Sequence, residues 1–322
     1  MRNVQHIILF LIFLAVVSLA LLETDYYATL DNTARYTSEK QNAFRPDSIL
    51  FCGEVIPMTE PDVKAKFERE LSIYTKYKAS TRLLISRANK WFPKIDPILE
   101  KQEVPQDLKY LVPVESAFRN VRSNRGAVGF WQIRAITGRS LGLTINEEID
   151  ERLNPIKATW AATKYFKMAY KIFGEWTMSA ASYNLGINGL KRRIAKQKPE
   201  TYYDLKLNRE TARYLFKALA FKEVYENPDK YDIYPKISDV PELPSHKLSE
   251  PIADLSEYAA KINSHPDSIR KYNPWILGNS IPIKKGEALT IYAPFVDKLD
   301  LPALNTDALS PEVNEYDTEL AE

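Results

Sequence analysis

Imidazole is nearly missing from this chain. Its 322 residues hold three histidines, His6, His246 and His265, and none lies between residues 7 and 245. A Ser-His-Asp or Cys-His arrangement is thereby excluded from the middle of the sequence, as is an imidazole metal site there. The single cysteine, Cys52, rules out an intramolecular disulfide and a cysteine-rich zinc site, and we read it as an inert small hydrophobe. Glycine is scarce, with 10 residues, and neither GxGxxG nor GxxxxGK[ST] occurs, which argues against a nucleotide-binding fold. Net charge is also small, at +2, and with 45% hydrophobic residues global disorder is excluded. What remains for proton transfer is carboxylate chemistry.

The length suits one large domain or two ordinary ones with a real core. Ile7 to Leu22 is a run of sixteen residues without a charge, preceded by Arg2 and His6. Ser18 and Ala20 at its exit suit a signal peptide cut after Ala20, with an uncleaved membrane anchor as the alternative, so residues 1–22 are expected to direct export. Residues 23–57 are polar and poor in periodicity, and read as a linker or lead-in. From Glu60 the pattern turns helical: Val63, Phe67, Leu71, Tyr74 and Tyr77 recur at three- and four-residue steps. A break is expected near Ala79-Ser80, and Pro93, Pro97 and Pro105 are expected to punctuate short segments. Pro105-Gln106-Asp107 reads as a helix start that runs through Leu108, Leu111 and Val112 to Glu115. Strand-like alternation is almost absent before the C-terminal third, so the expected class is mainly α.

Four blocks between residues 113 and 214 carry the strongest signal. They are Glu115-Ser116-Ala117-Phe118, Gly126-Ala127-Val128-Gly129-Phe130-Trp131-Gln132, Ala180-Ala181-Ser182-Tyr183-Asn184-Leu185-Gly186 and Glu210-Thr211-Ala212-Arg213-Tyr214. In this order they resemble the family 1 lytic transglycosylases of bacterial cell-wall turnover, whose hallmarks are ES-x-F, G-A-x-G-x-W-Q, A-A-Y-N-x-G and E-T-x-x-Y. The third block departs from the pattern only in Ser182, a small-for-small exchange. The resemblance spans roughly residues 60–225 and implies a lysozyme-like (goose-type, SLT) helical catalytic domain, bounded here as 58–226.

The residues make chemical sense beside the resemblance. Glu115 closes the apolar segment Tyr110 to Val114, so its carboxyl should border a nonpolar wall that raises its pKa. The bland alternative is a surface glutamate on an amphipathic helix. Gly126 and Gly129 suggest close approach of the backbone to a ligand, with Gln132 as a groove amide and Trp131 as core. Tyr183 and Asn184 lie inside the helical run Trp176 to Leu185, where asparagine is unfavourable, so they should face the groove or each other. Glu210 and Tyr214 are one turn apart and share a face. The resemblance implies that Glu115 is catalytic, that Ser116, Gln132, Tyr183, Asn184, Glu210 and Tyr214 bind substrate, and that the Tyr183 hydroxyl points at the catalytic carboxyl. A second carboxylate could be sought among Glu147, Glu148, Asp150 and Glu151, although an acidic helix-entry loop paired with Arg152 is the simpler account.

The reaction that the resemblance implies needs one carboxyl group. Glu115 protonates the β-1,4 glycosidic oxygen between N-acetylmuramic acid and N-acetylglucosamine, and then takes the proton from the C6 hydroxyl that closes a 1,6-anhydro ring. Peptidoglycan strands are the expected partner, with the membrane as a second through the N-terminal segment, in the periplasm or cell envelope. No cofactor, metal or nucleic acid is expected, and the chain is expected to act as a monomer. A hydrolytic muramidase and a noncatalytic wall-binding scaffold are the alternatives.

Prolines from Pro228 to Pro251 mark a linker, taken as 227–245. Residues 246–295 resemble a degenerate LysM module, a small α+β unit, on the helical stripe Leu255, Tyr258, Ala259 and Ile262, the Tyr272-Asn273-Pro274 segment and Gly286-Glu287-Ala288-Leu289-Thr290-Ile291. The module's usual first strand is not evident near His246 to Asp254. Residues 296–322 form an acidic tail with six acids and no bases from 303 onward, which leaves a basic body.

Overall fold

A computed structural model describes residues 49–235, 244–284, 286 and 288–293. The apolar run at 7–22, nearly all of the lead-in and the acidic tail lie outside the described residues, and so do the export segment and disordered tail expected there. The described chain opens with an antiparallel hairpin of β1 (Ile49–Phe51) and β2 (Glu54–Ile56). Its turn uses Cys52 and Gly53, both at positive φ. This corrects the expectation of an irregular lead-in up to residue 57. Phe51 and Ile56 are fully buried in the main core, and three-residue strands are too short for alternation to show in the sequence.

Helices α1 (Pro61–Lys76) and α2 (Lys78–Lys101) meet at Tyr77, two residues before the expected break. Pro93 and Pro97 do not interrupt α2. They stand four apart on its exposed side, so the carbonyls they leave without a helical donor, those of Asn89 and Pro93, face water. A 3₁₀ turn at Gln106–Tyr110 leads into the short α3 (Leu111–Ser116). Then come a small hairpin of β3 (Ala127–Val128) and β4 (Ile133–Arg134), followed by α4 (Ala135–Ser140). Four further helices complete the helical body: α5 (Pro155–Phe173), α6 (Trp176–Leu185), α7 (Ile187–Gln197) and α8 (Arg209–Glu226). The mainly α architecture expected from the sequence is the one observed.

Helix α8 is the axis of this body. It packs along α1 and touches α3 and α6, and it buries Tyr214, Leu215, Phe216, Ala218, Leu219, Ala220, Phe221 and Val224 on nearly every side. Helices α5 and α6 pack through alanines, Ala158, Ala161, Ala162 and Ala169 against Ala180 and Ala181, which lets the backbones come close. The buried hydroxyls between them are satisfied locally. Ser179 donates to Glu175 O at 2.6 Å and Ser182 to Ser179 O at 2.7 Å. The expected linker begins late, since Tyr231 and Ile233 are still buried in the main core.

The C-terminal module closes as strand, helix, helix, strand. Strand β5 (Ser245–Leu248) pairs antiparallel with β6 (Leu289–Tyr292) around α9 (Leu255–Lys261) and α10 (Pro266–Tyr272). The first strand was illegible because only Leu248 of Ser-His-Lys-Leu is buried. Asn273 is buried and clasps β6: its Nδ2 donates to Ile269 O and Tyr292 O at 2.7 Å, and its Oδ1 accepts from Tyr292 N at 3.0 Å. The module's core of Leu255, Ile269, Trp275, Ile281 and Ile291 also takes in Ile149 from the helical body. Beside it, the Glu148 carboxylate accepts from Ser280 N at 2.8 Å and Asp150 N donates to Trp275 O at 2.9 Å. A Cβ on Gly278 would stand 2.1 Å from Glu148 Oε2, so glycine lets the carboxylate seat there.

Candidate active site

Glu115 is the penultimate residue of α3, and the chain reverses immediately after it. Ala117 and Phe118 both adopt left-handed φ, at 50° and 58°, which is costly for residues other than glycine. Three contacts hold the reversal. Arg87 Nη1 donates to Ala117 O at 3.1 Å, the Ser116 hydroxyl donates to Phe130 O at 2.8 Å, and the Phe118 ring packs edge-on against Phe92 and Phe130. Upstream, the 3₁₀ turn is fixed through Asp107, whose carboxylate pairs with Lys222 at 2.8 Å and accepts from Cys52 N at 2.7 Å. The carboxyl of Glu115 therefore projects from a locally over-determined backbone.

The Tyr214 hydroxyl of α8 donates to Glu115 Oε1 at 2.5 Å. Burial pushes the Glu115 carboxyl up to about 7, and the negative charge of Glu210 adds to the rise. The Tyr214 hydrogen bond and the Lys217 ammonium oppose it. Burial, reinforced by the Glu115 charge, also drives the phenols of Tyr183 and Tyr214 well above their ordinary range, so both remain hydroxyl donors. Lys217, one turn from Tyr214, is pulled below the usual lysine range by burial and by Arg213, while Glu70, Glu210 and Glu115 oppose that fall. Arg213 is itself committed to the buried Glu70 through two bonds of 2.7 and 3.1 Å.

The C-terminal end of α6 supplies Tyr183 and Asn184. Asn184 Nδ2 donates to Glu210 Oε1 at 3.0 Å, and its Oδ1 accepts from the Thr211 hydroxyl at 2.7 Å. The unfavourable helical asparagine is thus used to tie α6 to the first turn of α8. Tyr183 differs from expectation: its hydroxyl donates to the Trp131 carbonyl at 2.7 Å and not to Glu115, although it stands within the field of that carboxyl. Its ring stacks on Phe166, and this packing aims the hydroxyl at the loop.

That loop, 126–133, is a self-supporting structure. Trp131 is fully buried and its indole N–H donates to the Thr159 hydroxyl at 2.9 Å. Gln132, expected in the groove, has a left-handed φ of 45° and turns its amide N–H groups to Val121 O and Gly129 O, at 3.0 and 2.9 Å. Gly129 approaches backbone rather than ligand, since a Cβ there would stand 1.9 Å from the Arg152 carbonyl. The Arg152 guanidinium donates to the Gly126 and Ile133 carbonyls at 3.2 Å and pairs with Asp150 at 2.7 Å, both side chains being buried. Asp150, Glu151 and Arg152 therefore form a buried brace. Glu151 caps Thr144 N at 2.6 Å, and Glu148 serves the C-terminal module.

Of the expected site residues, Glu115 with Tyr214 and Asn184 with Glu210 form two hydrogen-bonded pairs, coupled by the charge of Glu210 acting on Glu115, while Ser116, Gln132 and Tyr183 spend their donors on backbone carbonyls. Sequence reasoning missed Lys217, Thr211, Arg87 and Tyr165, whose hydroxyl donates to Ser182 O at 2.6 Å. Thr211 and Lys217 lie within a turn of Glu210 and Tyr214, and that spacing could have flagged them. Nothing local marks Arg87.

Residues 95–205 match the transglycosylase SLT domain family. The chain is 26% identical over 262 residues to membrane-bound lytic murein transglycosylase D of Escherichia coli strain K12, and equally to that of Escherichia coli O6:H1 strain CFT073. These alignments cover 77% of this chain and 58% of each relative, so the chain spans less than two thirds of the length of the curated relatives it matches. The matched SLT segment contains the first three of the four blocks and begins within α2.

Proposed function

We propose that this chain, as the bearer of a transglycosylase SLT domain, is a peptidoglycan lytic transglycosylase in which Glu115 alone serves as acid and base. The observation that carries the reading is the state of that carboxyl: desolvated, held near neutrality and fixed by a phenol that stays protonated. A group that titrates near the working pH can give a proton and take one back in the same turnover.

The steps follow from this. Protonated Glu115 donates to the β-1,4 oxygen as the bond to C1 of N-acetylmuramic acid breaks. The substrate's own acetamido group supports the positive charge at C1, as in the substrate-assisted glycosidases. Glu115, now a carboxylate, accepts the proton of the C6 hydroxyl as that oxygen bonds to C1. Its acidic form is restored, the product carries a 1,6-anhydro ring, and no water is consumed. Tyr214 orients the carboxyl and eases its charged form. Asn184 and Glu210 line the cleft, and Tyr183 holds the Trp131 carbonyl and with it the loop. Their roles toward sugar are carried over by resemblance.

The C-terminal module, with its strand–helix–helix–strand order, is read as a LysM-like glycan binder. Residues 1–22 are read as the export signal or anchor that brings the enzyme to the cell envelope. The test is to digest purified peptidoglycan with the chain and with its Glu115→Gln variant. Release of muropeptides by the parent, reduced by orders of magnitude in the variant while glycan binding persists, is expected. Equal release by both would move the chemistry away from Glu115.

A further inference from the structure

Helix α7 follows the Tyr183-Asn184 segment after a single glycine, Gly186, and it is strongly basic. Residues 185–199 contain Lys191, Arg192, Arg193, Lys196 and Lys198 and no acid. Gly189, Arg192, Arg193 and Lys196 stand at helical steps of three, one and three, so they share a face. With Leu185 they line an open cavity of about 360 Å³. Gly189 lets the helix sit close against Leu185, since a Cβ there would stand 3.0 Å from Leu185 Cγ. Among the described residues, Arg192, Arg193 and Lys196 have no ion pair or side-chain hydrogen bond, although all three are exposed. Like charges one turn apart disfavour the helix they sit on. A complementary anion would offset that repulsion.

We propose that this cavity binds the carboxylates of the short peptides borne on the glycan, and so makes the enzyme favour peptide-bearing strands. The inference rests on the peptidoglycan reading above. Its support is position and chemistry. Leu185, the cavity's apolar floor, directly follows Asn184, which is bonded to Glu210, the acidic neighbour of Glu115. An anion seated here therefore touches the residue that directly follows the Asn184–Glu210 contact in the chain. Guanidinium groups suit carboxylates, which they grip with two parallel bonds. An anionic lipid surface is the weaker match, because the large exposed hydrophobic residues Leu50, Leu83, Ile136 and Met168 all lie outside α7, and so does every other one among the described residues.

The experiment uses the full chain carrying Glu115→Gln, so that ligand is not consumed, and measures its affinity for two probes. One is soluble glycan strands with their peptides; the other is the same strands after amidase removal of those peptides. A ratio of about fivefold or more in favour of the peptide-bearing strands is expected at low salt, shrinking as salt screens the contact. Adding Arg192→Ala and Arg193→Ala should bring the ratio toward one, and Lys196→Ala alone should lower it partway, with thermal melting confirming the fold of each. A ratio near one in the parent overturns the proposal, as does a ratio that survives both arginine substitutions. Loss of binding to anionic phospholipid vesicles in the arginine variants, with no glycan preference in the parent, would assign the face to a membrane and likewise overturn it. Cleavage by the unsubstituted chain is scored separately, so failure of the transglycosylase reading is distinguishable from failure of this one.

Discussion

Tyr214→Phe removes one hydroxyl and keeps the ring that fills the middle of α8. The hydroxyl donates to Glu115 Oε1 and is the group that most opposes the burial-driven rise of that carboxyl. A hydrogen bond to a charged group contributes roughly 1.5–3 kcal/mol, which at about 1.4 kcal/mol per pKa unit corresponds to roughly one to two units. The sign is upward, because the lost bond favours the carboxylate. Glu115 starts at about 7, so in the variant it should titrate at roughly 8 or above. It then remains a competent acid at neutral pH but a hindered base-forming group, and the carboxyl loses its fixed orientation. Turnover at pH 7 should fall roughly ten- to a thousandfold, the range for one positioned polar group. Initial rates of muropeptide release across pH 4 to 10, together with an infrared titration of the Glu115 carboxyl stretch, would read both effects. An apparent pKa that stays put or moves down in Tyr214→Phe refutes the reasoning, whatever happens to the rate.

Glu115→Gln should stabilise the fold at and above neutral pH. The raised pKa means that the folded state holds the proton more tightly than the unfolded chain, so wild-type stability is fully present below about 4.5 and is lost as pH rises through about 7. Melting curves should show the variant ahead by roughly 1–3 kcal/mol at pH 8, with the gap closing as pH falls from about 7 and gone by about 4.5. Tyr183→Phe should lower both stability and activity, because the buried Trp131 carbonyl loses its donor. Thermal unfolding should report a loss of roughly 1–3 kcal/mol, and an unchanged melting temperature would contradict the observed bond. Gly278→Ala should push the Glu148 carboxylate off Ser280 N and loosen the C-terminal module. Hydrogen exchange should rise in β5 and β6 first, and a uniform rise across α8 would argue against a local latch.

Long helices with a clear stripe were legible in the sequence: α1 shows in Val63, Phe67, Leu71 and Tyr74, and α6 runs from Trp176 to Leu185 as expected. Features set by tertiary contact were not. The β1–β2 hairpin is anchored by Phe51 and Ile56 against distant helices, and α2 passes two prolines because their freed carbonyls face solvent. The candidate site divides along the same line. Glu115 and Tyr214 could be marked by residue type and motif, and the structure bonds them to each other. The direction of a hydroxyl or an amide could not be read. Tyr183 and Gln132 look identical in sequence whether they face a sugar or a carbonyl, and the choice depends on Phe166, Val121 and Gly129, which lie far along the chain or on a strained turn. Gly129 likewise signals close approach without saying to what, and here it is Arg152.

The central claim is that one carboxyl, giving and retaking a proton, closes the product ring without water. Digesting peptidoglycan with the purified chain in water enriched in oxygen-18, followed by mass analysis of the released ends, tests it most directly. The account predicts ends lighter than reducing sugars by one water and free of the heavy isotope, formed by the parent and not by Glu115→Gln. Reducing ends that carry oxygen-18 would contradict it and show hydrolysis of the same bond.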